Sequence, residues 1–218
     1  MALYSSANGR RLVKLSLTMA AFGSWVADVT LAEAEQLQPS VQLVASNLEL
    51  RGTVIRQDAF AGQREARVVG GAGGWRKQVS SRSYRQPGGL PLSTVLRDAA
   101  IEVGETVHIG TDRTIGTDYV RERAPASRVL RHLVGRAWWI DAAGVTQLGA
   151  RPSTQVKTEF AVVRYSADVG LLVIATEDLA SWLPGATFSN ALVTTAKTVA
   201  SSSIRMEGPT LRVEVMVA

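Results

Sequence analysis

The chain has 218 residues, 46% of them hydrophobic, and a formal net charge of +5. That length admits one large domain or two small ones, with ample apolar material for a packed core. The absence of cysteine excludes disulfides, iron–sulfur clusters, thiol nucleophiles and cysteine-ligated zinc, and two histidines are too few for a histidine-rich metal site.

The first elements read as strands. Val13, Leu15, Leu17 and Met19 alternate with Lys14, Ser16 and Thr18, and Trp25, Ala27, Val29 and Leu31 repeat the same two-residue period. This opening differs from the basic-then-apolar order of an export signal, and no apolar run approaches the roughly eighteen residues of a membrane helix. Neither export nor a membrane span is expected. Residues 41–44, 48–55 and 65–69 follow as strands, separated by Pro39, Asn47 and Gly62. About six strands in this region predict a sandwich or barrel.

A glycine-rich stretch, Gly70-Gly71-Ala72-Gly73-Gly74-Trp75-Arg76-Lys77, comes next. Backbone amides ahead of basic residues can cradle phosphate. The stretch lacks the Gly-Lys-Ser/Thr ending of a P-loop, and strand rather than helix is expected after it, so a flexible loop or tight β-turn is the favoured reading; a loop that bends sharply beside Trp75 can also serve as a subunit contact.

Two short helices and a hairpin occupy the middle. Val95, Leu96, Ala99 and Val103 share one face of a helix over 93–103, with Ser93 as its expected N-cap and Gly104 as its stop. Pro125 suits the first position of a second helix, which stacks Ala126, Val129, Leu130, Leu133 and Val134 before Gly135 ends it. Trp138-Trp139-Ile140-Asp141 and Val145-Thr146-Gln147-Leu148 then flank the turn Ala142-Ala143-Gly144, with Gly where a positive φ is wanted.

Strand patterning returns after Pro152, over 159–165, 171–176, 186–188, 192–197 and 211–217. Pro184-Gly185 and Glu207-Gly208-Pro209 are the turn signals. The chain therefore divides into an N-terminal β portion (1–87), an α+β middle element (88–151) and a C-terminal β portion (152–218). Charge follows a similar division. Residues 1–50 carry three Lys/Arg against four Asp/Glu, residues 51–151 sixteen against nine, and residues 152–218 five against six, or −1, +7 and −1. Arg outnumbers Lys 20 to 4, which suits ion pairs, subunit contacts and phosphates alike.

The middle element resembles the baseplate hub proteins of contractile-tailed bacteriophages and related secretion machines. The residues that carry the resemblance are Val95, Leu96, Asp98, Ala100 and Gly104, then Tyr119 and Arg121, then Ser127, Leu130 and Leu133, then Trp138 and Asp141 to Gly144. It implies a mainly β fold in which two tail-tube-like antiparallel barrel or sandwich portions flank the two helices and the hairpin. It also implies a homotrimeric ring in the virion's tail baseplate, assembled in the bacterial host's cytoplasm and joining the tail tube to a central spike, with nucleic acid only as passing cargo. The chain is short for such hubs, so parts of the assembly are expected on a separate polypeptide.

No residue reads as catalytic, cofactor-binding or metal-ligating, and no enzyme activity is expected. His108 sits in a predicted strand and His132 on the polar helix face beside Arg128; neither belongs to a nucleophile motif. Asp112, Asp118, Glu122 and Asp141 offer carboxylates for glycoside cleavage, but turn and helix-flank roles are their commoner use. Trp138-Trp139 places rings on opposite sides of a strand, so one is expected over Leu130 and Leu133 and the other under a neighbouring domain or subunit. Arg121, Arg123, Arg128, Arg131 and Arg136 point to interface ion pairs. The alternatives to a structural hub are a nucleic-acid-binding β-barrel using the basic middle, and a carbohydrate- or peptidoglycan-binding tail domain.

Overall fold

A computed structural model describes residues 5–190, 193, 195–208 and 210–218. The N-terminal strands are β1 (Ser5–Ala7), β2 (Arg10–Ala20), β3 (Val26–Leu31), β4 (Ser40–Ala45), β5 (Leu48–Phe60) and β6 (Gln63–Gly70). Their pairings run β1-β4-β5-β6-β3-β2 and return from β2 to β1, closing a six-stranded antiparallel barrel. Alternation puts Leu15, Leu17, Met19, Ala27, Val29 and Leu31 inside. The buried Trp25 indole fits because Gly52 and Gly70 face it: a Cβ on either glycine would lie 2.6 Å from the ring. The far ends of β5 and β6 leave the barrel as a hairpin arm, and Phe60 at its tip is 76% exposed.

The middle element comprises β7 (Gln78–Val79), β8 (Arg82–Arg85), α1 (Leu92–Val103), β9 (Val107–His108), β10 (Asp118–Arg121), β11 (Ala124–Pro125), α2 (Ala126–Val134), β12 (Trp138–Ile140) and β13 (Thr146–Leu148). β7 pairs with β11 and β8 with β10 in one shared register, so residues 78–85 and 118–125 form a two-stranded ribbon over the helices, interrupted at 80–81 and 122–123. A second apolar cluster, with Val95, Leu96, Ala99, Leu130, Leu133 and Ile140, lies beneath it.

Both helix starts differ from the sequence expectation. Pro91 and Pro125 occupy the N-cap positions, and neither cap position makes a side-chain hydrogen bond. Ser93 lies inside α1, where its backbone N–H and hydroxyl both donate to Asp112. The capping carboxylate thus comes from a distant loop, and Pro125, whose missing N–H suits either position, ends a strand before the helix begins. The stops fall where expected: Gly104 takes φ 80° and Gly135 donates its N–H to the Arg131 carbonyl. Gly144, at φ 81°, turns the β12–β13 hairpin.

The C-terminal strands are β14 (Thr154–Gln155), β15 (Ala161–Ser166), β16 (Leu171–Ala175), β17 (Ala186–Phe188), β18 (Lys197–Glu207) and β19 (Thr210–Val217). The strand expected over 192–197 begins only at Lys197, and Leu192, Thr194 and the turn residue Pro209 lie outside the described residues.

The flanking β portions are not separate sheets. β1 covers only Arg10 and Arg11 on one edge of β2; from Lys14 to Ala20 the same edge pairs with β18. One twelve-stranded sheet and one apolar core, reaching from Ala7 to Val215, therefore serve both ends of the chain. The β4–β5 turn strengthens the join. Asn47 Oδ1 accepts from the Leu179 and Ala180 amides at 2.8 and 3.1 Å, and the Ser46 hydroxyl donates to the Glu177 carbonyl at 2.6 Å.

Candidate interaction surfaces

The motif residues Asp98 and Arg121 meet each other. Arg121, 2% exposed, sets Nη1 3.2 Å from Asp98 Oδ2, donates from Nη2 to Glu102 and donates from Nε to the Ser80 carbonyl at 3.1 Å. Arg82 and the Tyr84 hydroxyl complete the cluster by donating to Asp98. Burial first, then the Asp98 carboxylate, push the Tyr84 hydroxyl well above its ordinary range. Hydrogen bonds from Ser80, and secondarily Arg121, hold Glu102 below the usual carboxylate value against its slight desolvation. This cluster staples the ribbon to α1. Arg121 is thus an intramolecular partner, contrary to the interface role expected for it, whereas Arg123, Arg128, Arg131 and Arg136 are exposed.

The glycine-rich stretch also turns inward. Glu105, the residue after the α1 stop, accepts the Gly74 N–H at 2.5 Å and the Ala72 N–H at 3.2 Å. Its carboxylate sits where a phosphate would in a glycine-rich anion loop. Burial raises the Glu105 pKa, while the amides of Ala72, Gly74 and Trp75 oppose the rise. A Cβ on Gly74 would stand 2.3 Å from the Val103 carbonyl, so the segment has no room to spare. Trp75 is buried, with Nε1 donating to Thr146 Oγ1 at 2.8 Å. Within the chain, the 70–75 loop is an internal joint whose Ala72 and Gly74 amides are occupied by the chain's own carboxylate, with Ala72 left exposed.

The candidate acids and histidines are dispersed. Asp112 caps α1, Asp141 accepts the Val145 amide and Gln147 Nε2 within the hairpin, Asp118 faces Arg85 at 3.6 Å, and Glu122 faces Arg128 at 3.8 Å. His108 shares a hydrogen bond with Gln147 at 2.8 Å, and His132 with the Tyr119 hydroxyl at 3.2 Å. Among the described residues no group of three or more His, Asp or Glu is arranged to hold a metal ion.

The two tryptophans divide as their strand position requires. Trp138 packs on the middle core, tilted 51° to Trp75 at 6.4 Å. Trp139 faces the other way, with the Arg151 guanidinium 4.4 Å above its ring in a cavity of about 130 Å³ bounded by Leu183, Pro184 and Ala186. Its cover is this chain's own C-terminal portion, and burial pushes Arg151 down to about 10.

Among the described residues several strand edges are open, and two of them, which no sequence pattern marked, border exposed apolar or charged surface. β15 ends the large sheet, pairing only with β16, and exposes Val163. β10 pairs only with β8. The Gln86 N–H donates to the Thr117 carbonyl at 2.8 Å, which sets the ladder's phase. Thr117, Tyr119 and Arg121 therefore address β8, and Asp118 and Val120 turn their N–H and C=O groups to the open edge. A groove of about 450 Å³ lies there, lined by Tyr119, Val120 and Glu122 on the ribbon side and by Arg128, Arg131 and His132 of α2.

No protein-family model matches the chain, and no curated protein matches it. Solved structures share its fold. The Escherichia coli c3393 protein, a type VI secretion component described as structurally similar to the T4 bacteriophage tail proteins gp27 and gp5, superposes with a TM-score of 0.72 at 8% identity. That match covers 98% of this chain and 76% of the other. The 43 kDa tail protein of prophage MuSo2 from Shewanella oneidensis gives 0.64 at 11% identity, covering 100% and 97%. A tail protein from Neisseria meningitidis gives 0.60 at 10% identity, covering 99% and 95%. The chain has the mainly β, barrel-containing fold of these tail proteins.

Proposed function

We propose that this chain is a structural component of a phage-type tail baseplate, three copies of which close a hub ring between the tail tube and a central spike. The observation that carries the reading is the fold shared over nearly the whole chain with tail proteins and a secretion-system component. In this reading the β portions at 1–87 and 152–218 build the ring wall, and the 88–151 element serves as a bracket on it. The work is steric: the ring matches symmetries and leaves a channel, with no substrate turned over. A closed ring of identical copies needs two different surfaces per subunit. The open β15 edge and the exposed Phe60 arm are the candidate pair, since an uncovered strand edge and a large exposed apolar side chain both gain from a neighbour.

The test is electron microscopy of the assembled particle with the chain identified by a fused tag. Three copies around an open axis are expected. A peripheral position, or one copy per particle, would overturn the reading.

A further inference from the structure

We propose that the groove between the open edge of β10 and α2 receives an extended acidic peptide segment from a partner polypeptide, added to the ribbon as a third strand. Four observations converge on this site. The main-chain groups of Asp118 and Val120 face away from β8 and have no other partner among the described residues. Val120 is 66% exposed, an apolar contact for an added strand. A helix runs along the far wall of the groove, and strand addition between an edge and a helix is a recurring mode of peptide capture. Finally, Arg128 and Arg131 project from that helix exposed: Arg131 has no carboxylate partner among the described residues, and Arg128 has only Glu122 at 3.8 Å.

The charge decides the occupant's chemistry. Arg121 beneath the groove is already balanced by Asp98 and Glu102, so the free charge is that of the two helix arginines, set against Glu122. An extended strand presents alternate side chains to one face, so acidic residues at every second position would reach the arginines while small apolar ones meet Val120. A single-stranded nucleic acid fits less well. The two aromatic rings lining the groove, Tyr119 and His132, are paired with each other, Tyr119 also with Tyr84, and Glu122 would repel phosphates. The inference rests on this groove alone and stands whether or not the chain forms a ring.

The experiment is a titration of the full chain with a labelled short peptide of alternating Glu and Val, read by fluorescence anisotropy and amide chemical shifts. Three comparison probes are used: an alternating Lys-Val peptide, the Glu-Val peptide N-methylated at every second amide, and oligothymidylate. Saturable binding of the Glu-Val peptide alone is expected, with shifts centred on Asp118, Val120 and α2. Arg128→Glu with Arg131→Glu should weaken it at least about tenfold, the scale of losing charge-assisted contacts. Val120→Pro, which removes an edge N–H while leaving the β8 pairing intact, should do the same, with unchanged circular dichroism showing that the fold is kept. Absent binding, equal binding of the methylated peptide, preference for oligothymidylate, or shifts elsewhere would each overturn the proposal.

Discussion

Arg121 is a guanidinium taken out of water, with a carboxylate on either side and a carbonyl beneath. Shortening it strands Asp98 and Glu102, whose side chains are 28% and 29% exposed, so water relieves part of the loss. Arg121→Ala is expected to lower stability by about 2–3 kcal/mol, under the range for a fully buried pair. Urea denaturation checks this; a loss typical of a surface pair, under about 1 kcal/mol, would mean the cluster is solvated. Glu105 gives a signed pH effect. A carboxyl whose folded pKa is raised binds its proton more tightly in the folded state, so its contribution favours folding below its ordinary 4.5 and is lost as pH climbs through the raised value. Glu105→Gln keeps an acceptor oxygen for the loop amides without titrating. Its stability should therefore fall less than the wild type's across that interval, and parallel pH profiles would show that the residue does not titrate there.

At the scale of elements, α2 turns a purely apolar stripe to the middle core: Ala126, Val129, Leu130 and Leu133 are buried. Leu130→Asp and Leu133→Asp are each expected to unfold or precipitate the chain, because a buried unpaired charge costs several kcal/mol. A wild-type melting curve for either variant would contradict the packing described. The alternation of β2 and β19, both helices and the hairpin were legible because each depends on neighbours within one or two turns of chain. The helix caps were not. Ser93 and Pro125 are good N-terminal residues by type, but Asp112 arrives from a loop beyond the helix and a strand extends to Pro125. The middle's motif was visible as spaced Asp98, Tyr119 and Arg121, while the pairing of Asp98 with Arg121 needed the ribbon to fold back over α1. Glu105 carried no signal, since an acid after a helix stop is commonplace. Nor did the groove, which exists only because the ribbon ends at β10.

For the whole molecule, local patterns indicated two β portions and could not indicate that they share a sheet. Pairing such as Leu17 with Ile204 joins residues at opposite ends of the chain, and periodicity carries no information about partners that distant. This arrangement sets an order on synthesis. The ribosome releases all six barrel strands, and then the whole middle element, before β18 exists. Throughout that interval the nascent barrel carries an open seam along β2 from Lys14 to Ala20, flanked by apolar Leu15, Leu17 and Met19. An unoccupied strand edge is a template for pairing with any other chain, including a sibling on the same message. Strands β18 and β19, which emerge after the whole middle element, thus act as a zip fastener drawn late, and a translation pause after residue 151 would lengthen the time in which neighbouring nascent chains can cross-pair.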